Sequence, residues 1–286
     1  MRGLCGRCAG LLCSANRSGA IDMIHPTAVV DGSAQLGANV EIGPYCVVGP
    51  KVTLGDDVVL KSHVVLRGPS HIGNGVQIYQ FATVGEDTPA TAYAGEDSVL
   101  EVGAGTIIRE GVTIHRGMAK GGISKTVVGA NCLLMAYAHI GHDCIVGDHV
   151  IMANNASLAG HVEVGDHANF GGYCGIPQFR KVGSCAHIAA MSMVTKDVPA
   201  FMTVAGNPAW AVGLNVEGIR RRDIGADVRT ALKQAHRLVY RSGLKVEEAL
   251  TQMSELRASH AEVEVFAHSI EASDLGIIRS SGRSSG

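Results

Sequence analysis

An aliphatic residue recurs every six positions along most of the chain, often with glycine directly after it. The series runs Ile24, Val30, Leu36, Ile42, Val48, Leu54, Leu60, Leu66, Ile72, Ile78 and Val84, and resumes in the same register at Val102, Ile108 and Ile114. After a second gap it returns two residues out of phase and continues from Val128 through Leu134, Ile140, Val146 and Met152 to Val194. Six is neither the helical period of 3.6 nor a simple strand alternation. It suits a coil with three short flat faces, each turning one aliphatic residue inward, and glycine near a corner where the backbone needs permissive φ/ψ. Each coil then takes three of these units, and residues 24–198 supply between nine and ten. The predicted fold over residues 23–200 is an all-β left-handed parallel β-helix of hexapeptide repeats.

Two stretches leave the pattern, residues 86–100 and 116–126, and must loop out of the prism. Insertions in a solenoid usually gather on one face, often the binding face. Here they flank the most His-rich coils. The six-residue period ends after Asp197-Val198-Pro199, and helical spacing follows in Ile224, Val228, Leu232, Ala235 and Val239. Further helices are predicted from Val246 and from Val263 to Ile270. Residues 201–279 therefore read as a small α-helical C-terminal domain, and 280–286 as a flexible tail.

Composition agrees with many short strands: 37 glycines, five phenylalanines and one tryptophan in 286 residues leave a core of Val, Ile, Leu and Ala. A net charge of −2 gives no general argument for nucleic acid or an anionic membrane. No stretch reaches the roughly 18 apolar residues of a membrane helix. Cys46, Cys132, Cys144, Cys174 and Cys185 fall mostly at apolar repeat positions and read as small buried residues rather than disulfides. Residues 1–22 differ from the rest, with Arg2, Arg7 and Arg17 ahead of the first acidic residue, Asp22. A Cys5/Cys8 pair there would need a second pair to hold a metal, and none is near. The segment reads as an extension or as the product of an upstream start codon, with Met23 the functional first residue.

The densest polar cluster is Ala138-His139-Ile140-Gly141-His142-Asp143, followed by Gly160-His161. His142 and His161 are one coil plus one residue apart, so stacking brings them to the same face. His115 approaches from the coil before. A His followed by Asp is suited to act as a general base whose tautomer the carboxylate fixes. Such a base would take the proton of a sugar hydroxyl attacking a thioester, with the Gly160 N–H supporting the oxyanion. Two other readings compete. The histidines could only form hydrogen bonds at solenoid corners of a non-catalytic scaffold. Alternatively, three of His115, His139, His142 and His161 could hold Zn²⁺ between chains of a trimeric hydrase of the gamma-carbonic-anhydrase type.

At these residues the sequence resembles the UDP-N-acetylglucosamine O-acyltransferases that begin lipid A synthesis. The match runs from Ile24-His25-Pro26-Thr27-Ala28 to Tyr240-Arg241-Ser242-Gly243. It is carried by Ile78-Tyr79-Gln80-Phe81, Thr113-Ile114-His115-Arg116-Gly117, Ala138 to Asp143, Ala153-Asn154-Asn155-Ala156, Leu158-Ala159-Gly160-His161 and Asn215-Val216-Glu217-Gly218. The resemblance implies a cytoplasmic homotrimer with active sites between subunits, an acyl carrier protein as donor and a UDP-amino sugar as acceptor. It implies no cofactor or metal of the protein's own, since the donor carries phosphopantetheine, and neither nucleic-acid binding nor stable membrane insertion. By motif position His142 is the general base and Asp143 its orienting partner. His115, His139, Asn154 and His161 fall among the substrate-binding positions, with His139 and His161 lining the sugar and phosphate site. Gln178, Asn215, Glu217, Arg221 and Arg222 contact the nucleotide or the phosphopantetheine. The Arg220–Arg222 run also suits an acidic carrier protein.

Three departures from the family pattern bear on the acceptor and the acyl chain. The first loop has Ala90-Thr91-Ala92 before Tyr93-Ala94-Gly95-Glu96, where the family places an Asp and a Lys. Pro177 stands where the family has His before Gln-Phe, and Ala190 where a Gly often closes the acyl groove. The expected activity is acyl transfer from acyl carrier protein to a UDP-amino sugar. Two acceptors fit: the family's own, held by compensating contacts, or another sugar nucleotide or amine.

Overall fold

The computed structural model describes residues 12–15 and 21–279. The Cys5/Cys8 pair and the predicted tail lie outside the described residues. Short parallel strands recur once per coil on each face and stack into three sheets, which form the three faces of a left-handed β-helix. The coil from Ile151 shows the scheme: Ile151–Met152 lies in the first sheet, Ser157–Leu158 in the second and Glu163–Val164 in the third. The next coil returns to the first sheet at Asn169–Phe170.

Each six-residue unit buries two side chains rather than one. Val40 and Ile42, Cys46 and Val48, Val52 and Leu54, and Val58 and Leu60 all point into the prism. Cys132, Cys144 and Cys174 occupy the same lesser position as Cys46, and Cys185 lies at a corner; all five are buried free thiols. Burial pushes the thiols of Cys144 and Cys174 up to about 12, so they stay protonated and behave as small apolar groups.

The predicted reason for the glycines needs correction. The left-handed backbone sits two residues beyond them, at Asn39, Tyr45, Lys51, Asp57 and His63, with φ between 57° and 59°. Glycine directly after the aliphatic residue serves close coil stacking instead. A Cβ on Gly103 would lie 2.4 Å from the Ala130 nitrogen, and one on Gly37 would lie 2.5 Å from the Gly55 carbonyl carbon.

Both excursions leave from the corner between the second and third sheets. The first joins Thr83–Glu86 to Val99–Val102 and the second joins Thr113–His115 to Lys125–Val128, so each is slightly shorter than its break in period suggested. One coil on, the same corner carries His142 and Asp143 between His139–Ile140 and Ile145–Val146.

The predicted domain boundary at residue 200 also moves. Met202–Gly206 joins the first sheet parallel to His187–Ile188, then turns back antiparallel through Ala209–Leu214. Burial of Met202 and Val204 against the last coil explains the extension. At the other end, Leu12–Ala15 pairs antiparallel with Ile21–Ile24, so part of the segment set apart as an extension joins the same sheet. Five helices follow the hairpin: α1 (Val216–Arg221), α2 (Ala226–Tyr240), α3 (Val246–Gln252), α4 (Ser254–Ser259) and α5 (Ala261–Glu271). Leu232, Ala235 and Val239 are buried on one face of α2, as their spacing predicts, and Val263, Phe266, Ala267 and Ile270 on α5. Asp197 ties this unit to the last coil, accepting from the Lys181 N–H at 2.9 Å and the Ser273 hydroxyl at 2.7 Å.

If stacking distance is what selects glycine, Gly103→Ala should cost about 1–3 kcal/mol by overpacking. Gly32→Ala, where a Cβ meets nothing within 4 Å, should change stability by less than about 0.5 kcal/mol. Equal urea midpoints for the two variants would overturn the argument.

Candidate active site

Asp143 is the pivot of the site. Its side chain is fully buried, yet three donors surround the carboxylate: His142 Nδ1 at 2.8 Å, the Ile123 N–H at 2.8 Å and the Met118 N–H at 3.1 Å. Its own N–H donates to the Thr126 hydroxyl at 2.8 Å. The second excursion is thus wrapped around this carboxylate. Gly117 and Gly122 permit that, because a Cβ at either would lie 2.8 Å or 2.5 Å from Asp143 Oδ1. The carboxylate accepts from Nδ1, and that bond keeps the proton of His142 on this nitrogen. Nε2 of His142 is left as the free lone pair.

That nitrogen points at Gly160, where a Cβ would come within 2.5 Å of it. Only glycine leaves room there for a reacting group. The Gly160 N–H donates to no acceptor among the described residues, which leaves it free for an oxyanion. His161, next in the chain, meets His142 edge to face with ring centroids 4.8 Å apart. Its other side stacks on Phe179 at 4.4 Å and an interplanar angle of 5°. Phe179 was not singled out from the sequence, although it lies one full coil beyond His161 and so at the same corner. Gln178 precedes it, exposed, on the coil above Gly160.

His115 and His139 form a separate pair, with centroids 5.5 Å apart. His139 Nδ1 lies 2.8 Å from the Thr113 hydroxyl, and His115 Nδ1 donates to the Asp87 carbonyl at 2.7 Å. Burial, with the neighbouring His115 and His142 behind it, holds His139 below its ordinary imidazole value. Burial also lowers His161, with Asp143 opposing. Both rings are therefore neutral near pH 7 and offer hydrogen bonds rather than charge.

The remaining predicted residues lie on other corners of the same chain. Asn154 and Ala190 are exposed on the corner between the first and second sheets. Asn215 caps α1: its side-chain oxygen accepts from the Gly218 N–H at 3.0 Å and its amide donates to the Cys185 carbonyl at 2.8 Å. That places it on the third corner. Glu217 is bound by Arg220 and Arg221, hydrogen bonds that pull its carboxyl down to about 2. Arg222 is exposed, and its charge reaches His167 on that corner. One chain therefore gathers His115, His139, His142, Asp143, Gly160, His161 and Gln178, and leaves Asn154, Ala190, Asn215, Glu217, Arg221 and Arg222 elsewhere.

Among the described residues, His142, Asp143 and His161 are the one group with ligand atoms close enough together for a metal, all within 4.8 Å. Three donors already point at the carboxylate, so the open nitrogens of this group are those of two imidazoles, and a zinc held between chains would draw further histidines from a partner.

The family pattern described as Udp N-acetylglucosamine O-acyltransferase, Domain 2, fits residues 197–278, and the bacterial transferase hexapeptide pattern fits 33–68 and 125–160. The acyl-[acyl-carrier-protein]–UDP-N-acetylglucosamine O-acyltransferase of Stutzerimonas stutzeri is 47% identical over 259 residues, covering 91% of this chain and all of the relative. The chain belongs to the UDP-N-acetylglucosamine O-acyltransferase family. A solved member from Moraxella catarrhalis superposes with a TM-score of 0.88 at 42% identity, over 90% of this chain and 99% of its own. The Francisella novicida acyltransferase gives 0.88 at 38%, over 91% and 95%.

The lowered His139 also makes a stability prediction. The unfolded chain protonates this imidazole near its ordinary value of about 6.5, the native chain only at lower pH. Between those values the unfolded state binds more protons, so this contribution is whole above about pH 6.5 and is lost as pH falls through the native value. His139→Gln should flatten part of the fall in melting temperature between about pH 7.5 and about pH 5. Coincident profiles for the two proteins would refute the assignment.

Proposed function

We propose that this acyltransferase moves an acyl chain from acyl carrier protein to a sugar hydroxyl of a UDP-N-acetylglucosamine-type acceptor, with His142 as the general base. The observation that carries this reading is the His142–Asp143 pair, whose Nε2 lies against Gly160, a residue whose N–H has no acceptor among the described residues. Nε2 takes the proton of the sugar hydroxyl as its oxygen attacks the thioester carbonyl. The Gly160 N–H steadies the oxyanion. When the carbon–sulfur bond breaks, Nε2–H returns the proton to the departing thiolate of phosphopantetheine. Asp143 holds the imidazolium between the two transfers. His115, His139, His161 and Gln178 then line the acceptor side.

The division of residues over three corners supports a threefold assembly. A partner's α1 would bring Arg221 and Arg222 to the His142 corner, with Asn215 acting as the cap that aims the helix. Acyl carrier proteins are acidic, and α2 offers them Arg229, Lys233 and Arg237, all exposed and four residues apart on one face, with Arg241 just beyond. Among the described residues no helix is long and apolar enough to cross a membrane, in keeping with a cytoplasmic enzyme that opens lipid A synthesis without a cofactor of its own.

A second reading, an altered acceptor, is favoured by Ala90, Ala92 and Pro177. The turn is closed by the Tyr93 N–H on the Ala90 carbonyl at 3.0 Å, and neither alanine has a charge to offer a sugar. The test is purified protein with acyl carrier protein thioester and a panel of UDP-sugars, read by mass spectrometry. We expect one acceptor to give product, and His142→Ala to cut turnover by about 10²–10⁴-fold. No product with any acceptor, or product independent of His142, would sink the proposal. Activity lost to chelators with zinc bound would favour the hydrase instead. In the same assay Ala190→Gly should lengthen the preferred acyl chain, because the methyl at the end of the groove is gone. An unchanged chain-length profile would refute that role.

A further inference from the structure

Arg116 follows His115 and is deeply buried, its side chain 8% exposed. Burying a guanidinium is costly unless it is paired and hydrogen-bonded. Its one carboxylate partner, bound through Nη2, is Asp87, at the start of the first excursion. Nη2 also donates to the Tyr93 hydroxyl at 3.2 Å, and Nη1 donates to the Gly85 carbonyl. Thr88, itself buried, returns its hydroxyl to the carbonyls of Arg116 and Gly117 at 2.8 Å and 3.0 Å. Asp87 is thus clamped by its carboxylate while its backbone carbonyl receives His115 Nδ1 at 2.7 Å. A carbonyl oxygen can only accept, so this bond keeps the His115 proton on Nδ1. Nε2 of His115 has no protein partner among the described residues and is left as the acceptor.

We propose that Arg116 is a positioning residue for the acceptor: by clamping Asp87 it holds His115 in one orientation and one tautomer, with Nε2 ready to accept from a sugar hydroxyl. This rests on the acceptor site proposed above. It also gives the first loop a role in a chain that lacks the loop's usual charged pair. The Asp87 carboxylate is turned to Arg116 and acts through His115.

The test compares Arg116→Met, Asp87→Ala, His115→Ala and the Arg116→Met/His115→Ala double variant. The Asp87 side chain is 62% exposed and Arg116 keeps its bonds to Gly85 and Tyr93 without it, so Asp87→Ala breaks the clamp from the other side, and thermal melts establish that each variant is folded. Arg116→Met and Asp87→Ala should each raise the KM for the UDP-sugar by about tenfold, as expected when one hydrogen-bonded contact is lost. kcat should stay within about twofold and the KM for the acyl carrier thioester should not move. The double variant should bind the UDP-sugar no more weakly than His115→Ala alone, because Arg116 acts only through that ring. Multiplicative losses in the double variant, or an unchanged KM in Asp87→Ala, would overturn the proposal. Calorimetric Kd values for UDP-N-acetylglucosamine read the same link without turnover. Wild-type protein that binds the sugar but gives no product would therefore count against acyl transfer. Equal Kd values across the variants would count against the positioning role.

Discussion

Everything in this molecule depends on one repeated hydrogen bond, from a backbone N–H in one coil to a carbonyl in the next. Gly43 donates to Leu60, Gly49 to Leu66 and Gly141 to Leu158, at 2.8 to 2.9 Å. Lys61, Arg109 and Met135 make the same bond at 2.8 Å, and glycine takes the position where a Cβ would meet the next coil, as at Gly37 and Gly103. The ladder also forces whatever sits at one corner of a coil to sit above the matching residue of the coil before. His142, Gly160 and Gln178 are neighbours for this reason, and so are His161 and Phe179.

Much of this was readable from the chain. A six-residue period over more than twenty positions leaves few alternatives to a three-faced prism, and the two breaks in it pointed to the corner where the histidines gather. The meaning of the glycines was misread, because periodicity locates a residue without saying whether its torsion or its missing Cβ matters. The hairpin from Met202 to Leu214 was hidden because it adds to a sheet end without repeating the six-residue pattern. Phe179 escaped notice because an exposed aromatic one coil beyond His161 carries no motif of its own. The donors to Asp143 were illegible for another reason: two of the three are backbone N–H groups of a loop, and side-chain identity does not encode them.

The site itself is organised around buried charge. Asp143 gathers an imidazole on one side and a loop on the other, so His142 and the second excursion share one anchor. Arg116 repeats the device with opposite sign, one coil earlier, and holds the other excursion. Both groups find their partners inside the chain, which leaves the open side of the site lined by imidazoles and backbone. The cationic groups suited to phosphates sit apart, on α1 and α2, at a different corner. The His142 cluster and the arginines of α1 thus stand on different corners of one chain.

The coil register has a further consequence for how such a protein can change over generations. Each coil touches only the coils above and below it, so one whole coil is the natural unit of gain or loss. The His115 to Phe179 cluster occupies only a few consecutive coils. Whole coils added or deleted between Met23 and Arg67 would alter the length of the prism while every contact around His142 kept its geometry. An insertion of any other length would have to leave the prism as a loop, and the two loops present here stand at the one corner where a loop has chemistry to cover.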